Sequence, residues 1–156
     1  MRAIVQKVIL GGVDIPASNY KEEINAGLVI LVGVKEGDTK KEAEYVADKC
    51  SALRIFSEKD ANMEPGNGKM SLSVKDINGE ALIISQFTLY GDTSRGNRPD
   101  FTKAAKPDEA LNLYLSFIDR MKFNLGSEKI KSGIFGEMML VKIMNDGPVT
   151  IIVESK

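Results

Sequence analysis

The sequence contains no histidine, no tryptophan and a single cysteine. Without histidine, a Ser-His-Asp triad, a Cys-His pair and a histidine-ligated zinc site are all excluded. The single Cys50 excludes an internal disulfide and a cysteine-rich metal site, and its helical context is typical of a small buried residue. An enzyme with this composition must use carboxylates, lysine, hydroxyls, backbone dipoles or groups of its substrate, so we predict neither a metal nor a cofactor.

Long apolar runs and a strong net charge are also missing. None of the 156 residues belongs to a run that could span a bilayer, and the first ten show no apolar signal segment with a cleavage site. We therefore expect a cytoplasmic protein without a membrane partner. The formal net charge is −1, so a nucleic-acid partner would need a local cationic patch. The length suits one domain, residues 1–156.

Several segments have the pattern of β-strands. β-branched residues predict a strand at 2–10, and apolar runs predict buried strands at 27–34 and 81–89. A short strand is a candidate at 71–74. Two more strands are predicted on either side of the NDGP stretch at 145–148.

Two segments have the pattern of helices. The stretch 38–56 combines an apolar stripe with a capping box made by Thr39 and Glu42. A second helix is predicted from Pro107 to Gly126, while the polar stretch 57–70 predicts a loop. This order of elements predicts an α+β fold, with two helices packed on a mainly antiparallel sheet.

The stretch SQFTLYGD interrupts an apolar strand with polar side chains. Its candidate site residues are Ser85, Gln86, Phe87 and Thr88. One interpretation is that these polar groups only hold the following loop in place by hydrogen bonds. The other is a pocket floor, in which Gln86 and backbone N–H groups donate to a developing oxyanion. Thr88 has no histidine to activate it as a nucleophile.

Two loops offer a similar choice between a structural and a functional role. TSRGNRPDF carries Arg95 and Arg98, which belong either to a solvated loop or to one that contacts phosphate. SGIFGEMM, at 132–139, is either a bend between strands or a pocket wall where a ligand approaches the backbone.

The stretch NDGPVT, at 145–150, combines a turn signal with a proline that cannot donate to a sheet. A hairpin turn is one interpretation. The other is a cis Gly147-Pro148 bond, whose exposed face would be rich in hydrogen-bond acceptors and suited to an ammonium group.

These motifs together resemble those of the D-aminoacyl-tRNA deacylase family, over the whole chain and in the same order. The resemblance is carried by MRAIVQKV, GLVILVGV, SQFTLYGD, GNRPDF, AAKP and NDGPVT. It implies a homodimer of barrel-like α+β subunits that hydrolyses the ester joining a D-amino acid, or glycine mischarged on tRNA-Ala, to the terminal adenosine of tRNA. It also implies that Gly147-Pro148 is cis and enters the partner subunit's active site, which contains Ser85, Gln86 and Thr88.

The resemblance further implies a mechanism. The carbonyls of Gly147 and Pro148 would bind the substrate's α-ammonium, and an L side chain would then collide with protein backbone. The ribose 2′-hydroxyl would assist the attacking water, while N–H groups near Phe87 and Thr88, with Gln86, stabilise the oxyanion. A Thr88 acyl-enzyme is the lesser alternative.

Supporting contacts to the substrate and the tRNA acceptor end are predicted for seven residues: Asn145, Thr150, Phe135, Gly136, Met139, Arg95 and Arg98. The sequence departs from the family pattern at Ser71 and Glu137, and Glu137 adds a carboxylate near the expected adenosine pocket. Two other functions stay open: a tRNA- or DNA-binding module without catalysis, and a hydrolase or editing module that acts on a different activated ester.

Overall fold

A six-stranded sheet forms the centre of the structure, a computed structural model that describes residues 1–62 and 68–156. Its strands are β1 (Arg2–Ile15), β2 (Tyr20–Ile24), β3 (Gly27–Gly33), β4 (Glu80–Ser85), β5 (Ile130–Ser132) and β6 (Leu140–Glu154). The helices of the described part are α1 (Lys40–Ala52), α2 (Glu58–Ala61) and α3 (Pro107–Leu125), with short 3-10 turns between some elements.

The long strand β1 organises the sheet. Along one edge it pairs antiparallel with β3 and then β2, and along the other edge it pairs antiparallel with β6. β3, β4 and β5 follow in parallel. The Tyr20 hydroxyl donates to the Ser132 carbonyl over 2.8 Å, which joins β2 to β5 and nearly closes the sheet into a barrel. The predicted α+β class and barrel-like sheet are confirmed, and the sheet is mixed.

Two separate cores lie on the two faces of this sheet. In β4, Ala81 and Ile83 point towards the helices, while Leu82 and Ile84 point into the curved sheet. This alternation follows from the two-residue period of a strand. Because both faces are covered, the central strands are apolar at nearly every position, which explains the continuous run at 27–34.

The two long helices form where the sequence predicts them. The side chain of Thr39 and that of Glu42 complete the capping box of α1, and α3 begins at Pro107. Arg120 and Asp48 join the helices by paired hydrogen bonds of 2.6 and 2.8 Å. α1 ends earlier than predicted, at Ala52, because the following residues continue in an extended conformation that carries Phe56 into the core.

Some sequence predictions of boundaries were wrong. β1 continues past residue 10 to Ile15, because Gly11 permits close packing: a Cβ there would lie 2.6 Å from Cγ2 of Val29. The strands β2 and β5 were not predicted. The predicted loop at 57–70 begins with the short helix α2, and its residues 63–67 lie outside the described part. The strand candidate at 71–74 contributes only a bridge between Leu72 and Phe56.

The hairpin interpretation of NDGPVT was also wrong. β6 runs through this stretch as one strand paired with β1. Gln6 faces Thr150 and Val8 faces Asn145, so one residue of β1 is matched by the four residues 146–149 of β6. NDGPVT therefore forms a bulge within a continuous strand.

Within the described ranges, no helix is both long enough and apolar enough to cross a membrane.

Candidate active site

The SQFT stretch forms a turn at the carboxyl end of β4. The strand ends at Ser85, where the sequence predicted that it would continue to residue 89. The Gln86 N–H still donates to the Val32 carbonyl over 2.8 Å, after which Phe87–Tyr90 form a 3-10 turn. The backbone therefore leaves the sheet at the polar residues.

This turn leaves donors available. The first N–H groups of a helical turn have no partner within it. In the described part of the chain, the N–H groups of Phe87 and Thr88 have no backbone partner and the Gln86 side chain does not cap them. Because Phe87 and Thr88 are exposed, these N–H groups can bind an external oxygen.

The Thr88 hydroxyl is not placed beside a base. Its side-chain partner among the described residues is the Gln86 amide, which donates to it. An amide cannot remove a proton at neutral pH, so the arrangement does not favour Thr88 as a nucleophile. The Gln86 amide carries a second N–H that remains free to donate.

The loop at 133–139 lies against the end of β4. The Gly133 N–H donates to the Ile83 carbonyl over 3.0 Å, and a Cβ on Gly133 would collide with the Met139 thioether. The Phe135 ring lies 5.8 Å from the ring of Tyr114, whose hydroxyl also donates to the Ile83 carbonyl. Phe135 and Met139 thus belong to a loop that is held to β4 two residues before its end at Ser85.

At the tip of this loop, Gly136 has φ of 82° and is exposed, with open space where a side chain would project. Glu137 beside it is also exposed. This tip leaves room for a ligand to approach the backbone.

The arginine loop, residues 93–99, is closed by a pair of backbone hydrogen bonds between Asp92 and Asp100, of 2.8 and 2.9 Å. The Asp92 carboxylate accepts from Lys103 over 2.7 Å and from the Ser94 N–H, and these bonds hold the pKa of Asp92 well below its usual range. Arg95 and Arg98 are exposed and form no ion pair with any residue that the structure describes. Their charges are thus available to a partner.

A cavity of about 420 Å³ separates the arginine loop from the sheet. Arg2 lies over the Tyr90 ring, 5.1 Å from its centroid, and donates to the Leu89 carbonyl over 2.8 Å. Burial and the Asp38 charge raise the pKa of Tyr90 to about 12, so the phenol stays neutral at physiological pH. Arg2 thus holds the end of the SQFT turn against β1.

The NDGP bulge has a cis Gly147-Pro148 bond, and both residues are exposed. Gly147 has φ of 120°, a conformation that a side chain would strain. Asp146, the preceding residue, binds Lys7 on β1 with an Oδ2–Nζ distance of 2.8 Å. Lys7 Nζ also lies 2.6 Å from Asp60 Oδ1 of α2.

These ion pairs favour the charged form of Lys7. Partial burial disfavours its charge, but the hydrogen bonds to Asp146 and Asp60 outweigh burial and raise the pKa of Lys7. A cavity of about 680 Å³ lies beside the group and is also lined by Phe56 and Glu80. Lys7 therefore stays charged and joins the bulge to α2.

The two motifs lie at different positions along β1. Ser85 pairs with Val32, and Val32 pairs with Ala3 near the start of β1. Asn145, by contrast, pairs with Val8. Five residues of strand separate Ala3 from Val8, or about 17 Å along β1. Within one chain, the SQFT turn and the Gly147-Pro148 bulge are therefore set apart along this strand.

Sequence reasoning missed Lys7 as a residue that contacts the bulge. A single lysine in a strand gives no local sign of its partners, because Asp60 and Asp146 are far away along the chain. Among residues 1–62 and 68–156, no three His, Cys, Asp or Glu side chains are arranged to hold a metal.

Comparison with known proteins places this arrangement in a family. The family model for D-Tyr-tRNA(Tyr) deacylase matches residues 4–154. The D-aminoacyl-tRNA deacylase of Carboxydothermus hydrogenoformans is 48% identical over 154 residues, which cover 99% of each chain. That of Desulforamulus reducens is 45% identical over 156 residues, covering 100% of this chain and 98% of the relative.

Two solved structures are similar to this fold. A structure of c-Myc DNA Unwinding Element Binding Protein is similar with a TM-score of 0.88 and 37% identity, covering 100% of this chain and 99% of the other. A structure described as a "probable eukaryotic D-amino acid tRNA deacylase" has a TM-score of 0.82 at 15% identity, with 99% and 98% coverage, and supports the fold alone.

The fold and these matches define the chain as an enzyme, a hydrolase. It belongs to the D-Tyr-tRNA(Tyr) deacylase family.

Proposed function

We propose that the protein hydrolyses the ester bond of D-aminoacyl-tRNA in the cytoplasm, releasing the D-amino acid and free tRNA. Glycyl-tRNA mischarged on tRNA-Ala is a second substrate, while L-aminoacyl-tRNA is rejected. The observation that carries this proposal is the exposed Gly147-Pro148 bulge, which lies about 17 Å further along β1 than a turn with free N–H donors. No cofactor takes part.

Recognition of chirality rests on main-chain atoms. Pro148 has no N–H, so the exposed surface of the bulge presents the carbonyls of Gly147 and Pro148 as acceptors for the substrate's α-ammonium. When the ammonium and the ester are fixed, an L side chain points at backbone and a D side chain points to solvent. Because backbone cannot move aside as a side chain can, the L substrate is excluded by shape.

The complete site requires two subunits. Since one chain keeps the bulge and the SQFT turn apart, the bulge of one subunit completes the pocket of its partner in a homodimer. Exposed apolar side chains suited to burial by a second copy lie in or near β1 and β6: Ile9, Met138, Leu140, Met144 and Ile152. A monomer with this much exposed apolar surface on connected strands would be unusual.

The chemistry is hydrolysis of an ester that is already activated. Water attacks the ester carbonyl while the substrate's 2′-hydroxyl assists, and the bond to the ribose 3′-oxygen breaks. The N–H groups of Phe87 and Thr88, with the Gln86 amide, stabilise the negative oxygen of the intermediate. The Thr88 hydroxyl positions Gln86 through their hydrogen bond, and Ser85 fixes the end of β4.

The remaining predicted residues bind the rest of the substrate. Phe135, Gly136 and Met139 form the wall beside the terminal adenosine, since their loop is held to β4 by the hydrogen bond from the Gly133 N–H to the Ile83 carbonyl. Asn145 and Thr150 flank the bulge and keep it paired with β1. The exposed arginines 95 and 98 contact phosphates of the acceptor end.

The direct test is hydrolysis of matched D- and L-tyrosyl-tRNA by the purified protein, with glycyl-tRNA-Ala as a third substrate. We expect turnover of the D and glycyl esters and none of the L ester. Equal turnover of the D and L esters would refute the proposed selection, and no turnover of any would refute the activity.

Mixing two inactive variants tests the shared site. Gln86→Met removes the donor from one half of the site, and Gly147→Ala distorts the other half. In a mixed dimer one site carries both changes and the other carries neither. Random mixing of the unfolded and refolded subunits should therefore restore about a quarter of the wild-type activity. If each chain contains its own complete site, mixing will restore nothing.

Nucleic-acid binding without catalysis is the second candidate, since the solved relative named c-Myc DNA Unwinding Element Binding Protein shares 37% identity. The net charge of −1 weakens it, because such binding depends on phosphate neutralisation. Salt-dependent DNA binding without turnover of D-tyrosyl-tRNA would favour this candidate. A hydrolase of other activated esters would turn over D-amino acid esters that lack the nucleic acid.

A further inference from the structure

Two aromatic rings lie exposed beside the SQFT turn. Phe87 is 58% exposed and Phe101 is 37% exposed. Their centroids are 5.2 Å apart and the ring planes meet at 70°, an edge-to-face contact. Neither ring belongs to either of the two cores. The pair is therefore an apolar surface that the subunit itself leaves uncovered.

Backbone contacts hold Phe101 in place. The residue directly follows Asp100, which closes the arginine loop by its two hydrogen bonds to Asp92. The ring packs over Gly91, where a Cβ would lie 3.0 Å from Cε1 of Phe101. The Phe101 carbonyl accepts from the Ala104 N–H over 3.0 Å. The position of the ring is thus fixed before any partner binds.

The loop that precedes Phe101 carries positive charge. The loop closed by Asp92 and Asp100 carries Arg95 and Arg98, which have no ion-pair partner in the described ranges. Of the two aspartates that close this loop, Asp92 is paired with Lys103 and the Asp100 carboxylate accepts from the Thr102 N–H over 2.8 Å. A partner that fits this surface has flat apolar faces and negative charge.

We propose that Phe87 and Phe101 form a stacking platform for the unpaired nucleotide that precedes the terminal adenosine, while Arg95 and Arg98 bind the adjoining phosphates. This inference rests on the proposed function, because the platform adjoins the turn that would hold the ester. Bases in a duplex are already stacked on each other, so exposed aromatic rings select an unpaired strand. The occupant is the single-stranded acceptor end of the tRNA.

Two substrates distinguish the loss of a stacking contact from a change in ester hydrolysis. D-tyrosyl-tRNA contains the preceding nucleotide, whereas 3′-O-D-tyrosyl-adenosine has the same ester without it. Phe101→Leu should lower kcat/KM for D-tyrosyl-tRNA by about tenfold, mainly through KM, as expected for the loss of one stacked base. Hydrolysis of the adenosine ester should not change, because Phe101 does not touch the reacting atoms.

Two further variants serve as controls. Phe101→Tyr keeps a ring and should restore the activity on D-tyrosyl-tRNA. Tyr45→Leu removes an aromatic ring that is also 37% exposed but lies on α1, so it should have no effect on either substrate.

The loss of phosphate contacts should appear in the salt dependence. Replacing both Arg95 and Arg98 by glutamine should reduce the slope of log affinity against log salt by about 0.7 for each phosphate contact. An unchanged slope would show that Arg95 and Arg98 do not contact phosphates.

The outcomes distinguish this proposal from the proposed function. If the wild type hydrolyses neither ester, the function is wrong. If the wild type hydrolyses both and Phe101→Leu lowers both equally or neither, only the platform is wrong. If Phe101→Leu instead changes the dimer content in sedimentation, the ring belongs to a subunit interface and the platform is also overturned.

Discussion

The SQFT turn and the NDGP bulge are held in different ways. The SQFT turn, near the start of β1, is fixed by backbone hydrogen bonds, by the packing of Leu89 against Gly33 and by Arg2, which donates to the Leu89 carbonyl. The NDGP bulge, near the middle of β1, is held by Lys7, which joins Asp146 to Asp60. The bulge depends on ion pairs with carboxylates, while the turn is held by contacts with carbonyl groups and an aromatic ring. The bulge should therefore be the more sensitive of the two to acid.

Gly147→Ala tests the bulge most severely. Gly147 has φ of 120°, and a Cβ there would lie 2.9 Å from Cγ2 of Val149. The side chain would force the carbonyls of the bulge to move, and a misplacement of about 1 Å can cost roughly a hundredfold in rate. We expect that loss in kcat/KM for D-tyrosyl-tRNA, measured by deacylation.

Gly126→Ala is the matched control, since Gly126 has φ of 101° but ends α3 away from the site. It should lower stability and leave kcat/KM nearly unchanged. An equal loss of kcat/KM in the two variants would mean that strain in general, and not the position of the bulge, controls the activity.

Lys7→Met tests the charges that hold the bulge. Asp60 is 14% exposed and would lose its partner, which should lower the free energy of unfolding by about 2 kcal/mol, as for other hydrogen bonds to charged groups. Urea denaturation measures this change. The control Lys131→Met breaks the more exposed pair with Glu22 and should cost below about 1 kcal/mol. Equal costs would contradict a special role for Lys7.

Thr88→Ala tests the chemistry at the SQFT turn. If Thr88 only positions the Gln86 amide, its loss removes one hydrogen bond and should lower kcat by no more than about tenfold. Single-turnover deacylation of D-tyrosyl-tRNA gives this rate. Near-complete inactivity in a folded Thr88→Ala protein would instead support an acyl-enzyme on this hydroxyl.

The acid sensitivity of the bulge gives a smaller effect. Partial burial opposes ionisation of Asp60, but hydrogen bonds from Lys7 and Ser57 outweigh it and hold the pKa of Asp60 below its ordinary value of 3.8. A carboxylate with a lowered folded pKa stabilises the protein above the unfolded pKa, and this contribution is lost as pH falls through the folded pKa. Asp60→Asn should therefore flatten the stability profile below about pH 4.

Thermal unfolding between pH 3 and pH 7 measures this dependence. Asp119→Asn, on α3, is the control, because Asp119 forms no ion pair with any residue that the structure describes, and it should change the profile less than Asp60→Asn does. If Asp60→Asn leaves the slope of stability against pH unchanged, other carboxylates account for the loss of stability in acid.

Patterns with a local cause were predictable from the sequence. The capping box at Thr39 and the proline at 107 fixed the starts of the long helices, because the partners of each cap lie within one turn. The buried strands at β3 and β4 were found from their apolar runs. The polar SQFT residues pointed to a break in the strand, although the sequence placed its end several residues too late.

Features that depend on distant partners were not predictable. A Gly-Pro turn signal suits both a hairpin and a bulge, and only the register of β1 against β6 decides between them. The strand predicted at 2–10 continues to Ile15, where Gly11 packs closely against Val29 of the neighbouring strand. Local sequence likewise gave no sign that Lys7 contacts Asp146.

The length of β1 sets the spacing between the SQFT turn and the NDGP bulge. An insertion of one residue between Ala3 and Val8 would lengthen that spacing by about 3.3 Å and turn every later side chain to the opposite face. Both cores would then be disrupted together. Insertions and deletions among related sequences should therefore occur in the loops and not in this strand. The number of residues in this part of β1 should be constant across the family.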